Sequence, residues 1–177
     1  MYIALIIVSC LLWGFSLLAL RGRQMIAPAL SFVALFILSV ARKNGYPLLP
    51  INATILTSWL CMSLIVTFIV MLQPEPVRRQ IKGTTYMVMG AVTGLAVGLL
   101  GFTVSDGISL LYSMMMIGVA IGIVAGLLLY SRTPDGFPIA PGSGNFFRYL
   151  LSKGFPIAIT VMQGGVALVL TIAVMHN

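Results

Sequence analysis

The residues able to carry out acid–base chemistry are few and far apart in this sequence. Glu75, Asp106 and Asp135 are its only acidic residues, and His176 is its only histidine. General acid–base catalysis needs ionisable groups within hydrogen-bond reach of one substrate, and a metal site needs several ligands around one ion. No HExxH, CxxC or usable Ser/His/Asp combination occurs. The sequence therefore predicts no catalytic, cofactor-binding or metal site, and we expect a non-enzymatic protein.

The run Met114-Met115-Met116 is the one place with several soft sulfur ligands. Thioethers are suitable ligands for Cu(I), so these methionines are candidate ligands of a copper site. Consecutive residues on a helix point about 100° apart, and three of them cannot converge on one ion. We interpret these methionines as core or lipid-facing side chains.

Gln163 is the most polar residue of the last apolar stretch and is followed by Gly164 and Gly165. One interpretation is a hydrogen bond between helices, worth up to ~1–2 kcal/mol, with the glycines allowing close packing. The other is a helix broken near Pro156 that lines a path for a neutral solute or a lipid. We favour the hydrogen bond and keep the path as the alternative.

The composition identifies the class of protein that must position these residues. The chain has 177 residues, of which 60% are hydrophobic and 7% are charged, and its mean hydropathy is +1.11. A soluble domain has about 25% charged residues. Cys10 and Cys61 both lie inside apolar stretches, where thiols behave as small hydrophobes. The composition predicts a polytopic membrane protein without a disulfide.

Six apolar stretches approach the roughly 20 residues that a helix needs to cross a bilayer. The predicted fold is therefore all-α: one transmembrane helical bundle over residues 1–177. The second stretch is the shortest and the least certain to cross fully. The predicted spans are residues 2–20, 25–41, 51–72, 85–104, 108–130 and 155–175.

The distribution of Lys and Arg predicts the orientation of these spans. Arg42 and Lys43 alone would lie outside if both termini are outside, and the other eight of the 10 basic residues would then lie inside. This bias follows the positive-inside rule. The net charge of +7 is spread over several loops, which does not favour a nucleic-acid partner.

The longest predicted inner loop, residues 131–154, contains a short amphipathic segment. We expect Asn145 to cap an interfacial helix there. Arg148 and Lys153 would stay in water, and the apolar side chains that would enter the interface are those of Phe146, Phe147, Leu150 and Leu151.

Two glycine ladders give the most specific packing signal in the sequence. Each reads GxxxGxxxG, so its glycines share one helix face and allow close approach of another backbone. The run Ser105-Asp106-Gly107 predicts a turn between the two spans and would put Gly94 and Gly118 at similar depth. We expect an antiparallel hairpin at the centre of the bundle, although a ladder could instead face another subunit or a second copy. The ladders are Gly90, Gly94 and Gly98, and Gly118, Gly122 and Gly126.

These observations favour packing over chemistry as the function. The leading hypothesis is an accessory or structural subunit of a larger membrane complex, with the lipid bilayer and other membrane subunits, or a second copy, as partners. The alternative is a small channel or facilitator for a neutral solute or lipid near Gln163. Short loops and the inner positive bias are typical of a bacterial cytoplasmic membrane, with the N- and C-termini outside.

Overall fold

The structure is a computed structural model that describes residues 2–43, 46–47, 51–74, 83–100, 108–133 and 143–176. Helices dominate these residues. The last three helical segments are continuous in sequence. The helices are α1 (Tyr2–Gly22), α2 (Ala27–Val40), α3 (Ala53–Leu72), α4 (Thr84–Leu100), α5 (Ile108–Ser131), α6 (Gly144–Tyr149), a π-helical turn (Leu150–Gly154) and α7 (Phe155–His176).

Four helical segments are long and apolar enough to cross a membrane: Ile3–Gly22, Ala53–Leu72, Leu110–Ser131 and Gly144–Thr171. The other two apolar helices, α2 and α4, have 14 and 17 residues. At 1.5 Å per residue, α2 is roughly 21 Å long, less than the ~30 Å of a hydrocarbon core. Pro28 lies in its first turn, where the missing N–H costs little.

A short β ladder follows α2 and was not predicted from the sequence. The strands are β1 (Arg42–Lys43) and β2 (Tyr46–Pro47), which pair antiparallel with Arg42 opposite Pro47 and Lys43 opposite Tyr46. The all-helical prediction is correct for the architecture of the described residues, apart from this ladder.

The last helix begins earlier than the predicted span and has a different cap. Ser143, not Asn145, is the N-cap: its hydroxyl accepts a hydrogen bond from the Phe146 N–H at 3.2 Å. The π-helical turn then leads directly into α7. Pro156 lacks an N–H and its ring would clash with a carbonyl in a regular α-helical turn. The wider turn immediately before it keeps the helix continuous across this position.

The expected position of Lys153 in water is wrong. Its side chain is only 1% exposed. Phe146, Tyr149 and Lys153 follow one another at helical spacing and all three are buried, whereas Arg148 on another face is exposed. The segment is the first part of a long buried helix, and its inner face turns toward the bundle.

The helix directions alternate along the chain, since the end of α1, the start of α2, the end of α3 and the start of α4 lie together at one end of the bundle. Helix α7 lies at the centre. Helix α7 packs against α1, α2, α3, α4 and α5. Ile6 near the start of α1 and Thr171 near the end of α7 line the same cavity, so these two ends lie together. The expectation that the α4–α5 hairpin forms the centre is therefore wrong: the hairpin packs beside α7, whose small and apolar residues accept neighbours on several faces.

Candidate functional site

Gln163 lies on α7 where three helices meet, and its side chain is fully buried. Ser31 on α2 donates a hydrogen bond to Gln163 Oε1, and Gln163 Nε2 donates to Ser63 Oγ on α3 at 2.8 Å. Both serines are buried. A buried amide is costly unless its atoms are bonded, and here both its oxygen and its nitrogen have partners. We call Ser31, Ser63 and Gln163 the amide cluster.

Substituting Gln163 with leucine removes both bonds of the amide cluster at similar side-chain volume. We expect Gln163→Leu to lower the free energy of unfolding by about 1–3 kcal/mol, because hydrogen bonds between membrane helices are worth up to ~1.7 kcal/mol each. Ser63 loses its bond to Gln163, and Ser31 keeps only the carbonyl of Pro28. Unfolding by a denaturing detergent in mixed micelles measures this.

Ser58→Ala is the matched control, since Ser58 on α3 is exposed and donates to the Thr54 carbonyl of its own helix. We expect a change within ±0.5 kcal/mol. Equal effects of Gln163→Leu and Ser58→Ala would show that the amide cluster does not hold the helices together.

The glycine that follows Gln163 accommodates an aromatic ring. The indole of Trp13 on α1 lies where a side chain on Gly164 would be, and Trp13 Nε1 donates to the Thr160 carbonyl at 3.1 Å. A Cβ on Gly165 would lie 2.8 Å from Leu95 Cδ1 and 2.9 Å from Met115 Cε. The two glycines therefore leave space for different neighbours: α1 packs against Gly164, and the α4–α5 pair packs against Gly165.

Two further hydroxyls join α1 to α2. Ser9 Oγ donates to the Ala34 carbonyl at 2.8 Å, and Ser16 Oγ donates to the Ala27 carbonyl at 2.6 Å. The two serines are seven residues apart on α1, and their partners are seven residues apart in the opposite order on α2. The two helices are therefore antiparallel, in a register that these bonds fix. Both serines are buried and bonded to backbone.

The hydrogen bonds of the amide cluster and its neighbours join helices to one another. Chemically, this arrangement can hold the helices in a fixed orientation and packing. No protein-family model matches the chain, and no curated protein or solved structure matches it at a significant level.

The glycines of α4 and α5 lie directly against the opposite backbone. A Cβ on Gly98 would lie 2.6 Å from the Met114 carbonyl oxygen. At Gly94 and Gly90 it would overlap the carbonyl oxygens of Gly118 and Gly122. Contacts that lie four residues apart on α4 have partners four residues apart in the opposite order on α5, so the two helices are antiparallel. We call this line of close contact the glycine seam.

An apolar groove of about 430 Å³ runs along one side of the glycine seam, and we call it the seam groove. Thr93 and Ala125 lie along it and are exposed. Larger exposed side chains border it, and these are Tyr86, Met89, Val97, Ile121 and Leu129.

A second space lies between α1, α2 and α7, and Ser31 and Gln163 of the amide cluster are part of its lining. It is a cavity of about 170 Å³ with almost entirely apolar walls, which we call the α1/α2/α7 cavity. Its lining includes Cys10 and Trp13 from α1, Ala34 from α2, and Gly164 and Leu168 from α7. Cys10 and Leu168 are exposed and mark its mouth.

Within the described residues, no group of three or more His, Cys, Asp or Glu side chains could hold a metal ion. Met115 is buried whereas Met114 and Met116 are exposed, so the three methionines point in different directions. Glu75, Asp106 and Asp135, and the turn predicted at residues 105–107, lie outside the described residues. The expected absence of a catalytic, cofactor or metal site stays a prediction.

Several residues of the site were missed in the sequence. The seven-residue spacing of Ser9 and Ser16 places them on one helix face and could have indicated a bonded stripe. For Ser31 and Ser63 the only signal was a serine inside an apolar stretch. Nothing in the sequence paired Trp13 with Gly164, since they are separated by most of the chain.

Proposed function

We propose that this chain is a non-enzymatic integral membrane protein of six membrane helices that serves as an accessory or structural subunit of a larger membrane complex. The seam groove is the proposed docking face, and its occupant is an apolar transmembrane helix of another protein. The observation that carries the proposal is an apolar groove over the glycine seam, bordered by exposed apolar side chains of α4 and α5.

The shape of the seam groove supports a helix as its occupant. Between lipid-embedded helices the hydrophobic effect contributes little, so association depends on close packing. Met89 and Val97 project from α4, and Ile121 and Leu129 from α5, while the glycines between them leave the floor low. A ridge of side chains on a partner helix fits between these two rows.

The use of the polar side chains also supports a structural role. A path for a neutral polar solute needs donors or acceptors along it that are free to exchange. Gln163 is fully buried with both its amide atoms bonded, and Trp13 covers Gly164. These contacts favour the accessory-subunit hypothesis over a solute path past Gln163.

The proposed location is a bacterial cytoplasmic membrane with both termini outside. The bias of Lys and Arg toward one side supports this orientation. Alternating helix directions are consistent with six crossings, provided that the shorter helices α2 and α4 also span.

Site-specific photocrosslinking in native membranes tests the docking face. We expect a benzophenone amino acid at Thr93 or Ala125, both in the seam groove, to give a discrete adduct with a transmembrane segment of a different protein. The same probe at Leu64, an exposed residue of α3 outside the groove, is the control and should give lipid adducts only. Peptide mapping by mass spectrometry identifies both partners of each adduct.

Two results would contradict the accessory-subunit proposal. Adducts that join two copies of this chain, with no other protein, would make the seam groove a contact between copies. Absence of any protein adduct from Thr93 and Ala125, with the protein folded and inserted, would leave the groove facing lipid.

A further inference from the structure

The polar side chains that line the α1/α2/α7 cavity bond to other parts of the protein, and among them Gln163 Nε2 donates to Ser63 Oγ. Ser9 donates to the Ala34 carbonyl and Trp13 to the Thr160 carbonyl. Thr171 donates to the Ala167 carbonyl at 2.7 Å. The Ser31 hydroxyl donates to Gln163 Oε1 or to the Pro28 carbonyl, which lies 3.0 Å away.

The almost entirely apolar walls favour an apolar occupant over water or a polar solute. A buried water needs two to four hydrogen-bond partners, whereas apolar cavities of roughly 150 Å³ stay dry and bind small hydrocarbons. At about 170 Å³, the cavity has room for a segment of roughly six carbon atoms, by comparison with a ring of that size.

The mouth of the cavity indicates the source of such an occupant. Cys10 lies midway along α1 and Leu168 lies in the second half of α7, so the mouth opens at the side of the bundle. Ile7 and Leu11 beside Cys10 are more than half exposed. In a bilayer, this opening would be at the depth of hydrocarbon, where acyl chains are the surrounding solvent.

We propose that the α1/α2/α7 cavity binds a segment of one acyl chain of a membrane phospholipid, which enters between α1 and α7. The chain contacts the indole of Trp13, which is part of the cavity lining. This inference requires membrane insertion but not a partner at the seam groove, so it can be tested on the isolated protein.

Quenching of tryptophan fluorescence by brominated lipid provides the test, because Trp13 and Trp59 are the two tryptophans of the chain. Trp13 lines the cavity and Trp59 does not. In nanodiscs, Trp59→Phe leaves Trp13 as the reporter, and Trp13→Phe leaves Trp59. With phosphatidylcholine brominated in mid-chain, we expect Trp13 quenching to rise linearly with the mole fraction of brominated lipid, as for one site.

Plugging the mouth distinguishes the cavity from the lipid around the protein. We expect Cys10→Phe in the Trp59→Phe background to reduce Trp13 quenching at least twofold. Leu11→Phe adds an aromatic ring at the neighbouring exposed position, outside the cavity, and should leave quenching unchanged. Leu168→Phe approaches the mouth from α7 and replaces Cys10→Phe if that variant does not fold.

Two outcomes would overturn the inference. Unchanged Trp13 quenching in a folded mouth variant would mean that bromine reaches the indole from outside the cavity. Absence of quenching by mid-chain bromine would mean that no acyl chain enters. A failed search for a partner at Thr93 and Ala125 would affect neither result.

Discussion

Gly122→Ala should be among the most destabilising single substitutions in this protein. The added methyl group would overlap the Gly90 carbonyl oxygen and would lie 2.6 Å from the carbonyl carbon of Gly90. These are backbone atoms, so the whole of α4 must move away from α5. We expect a loss of about 3 kcal/mol in the free energy of unfolding, at the upper end of the usual cost of overpacking. Thermal or denaturing-detergent unfolding in mixed micelles measures it.

Gly14→Ala is the matched control for Gly122→Ala. Gly14 is also inside a long helix, but nothing lies within 4 Å of the position of a Cβ there. We expect this substitution to be neutral or to stabilise by up to about 1 kcal/mol, because alanine favours helix more than glycine. If the two variants unfold alike, the close approach of the backbones at the glycine seam does not contribute to stability.

Gly164→Ala should also be strongly destabilising, for a different reason. Its methyl group would overlap the indole of Trp13, a flat and rigid group whose Nε1 is bonded to the Thr160 carbonyl. We expect a loss of about 2–3 kcal/mol together with a red shift of Trp13 emission in the Trp59→Phe background, as the ring leaves its place. Denaturing-detergent unfolding and emission spectra of the same samples measure the two effects.

A double-mutant cycle separates this clash from a general effect on α7. Trp13→Leu alone should destabilise through lost packing. In the Trp13→Leu background, Gly164→Ala should cost at least 1 kcal/mol less than in the native chain, since neighbouring residues couple by about 0.5–3 kcal/mol. Additive effects would mean that Trp13 and Gly164 do not constrain each other.

The sequence predicted best those features that repeat along a helix. The four-residue spacing of glycines predicted which faces of α4 and α5 are small, and the structure places Gly94 against Gly118. The helical architecture followed from composition and from the lengths of the apolar stretches. Such features depend on local periodicity, so one sequence contains enough information to recognise them.

Features that depend on pairing between distant residues were not predictable. Gln163 stood out as polar, but Ser31 and Ser63 became its partners only through the packing of α2 and α3 on α7. The burial of Lys153 required knowing that α6, the π-helical turn and α7 form one helix. Hydropathy along the chain does not report which face of a helix turns inward.

The central position of α7 has a consequence for the order of assembly during synthesis. Among the described helices, α7 is the last to leave the ribosome, yet it holds the residue that bonds Ser31 and Ser63 and the glycine that receives Trp13. Helices α4 and α5 contact each other along their own seam and can pair before α7 exists. Helices α1 and α2 can also pair early, through the hydroxyls of Ser9 and Ser16. The bonds of Gln163 and the contact between Trp13 and Gly164 form only when α7 is present, so the addition of α7 is the step that completes the native core.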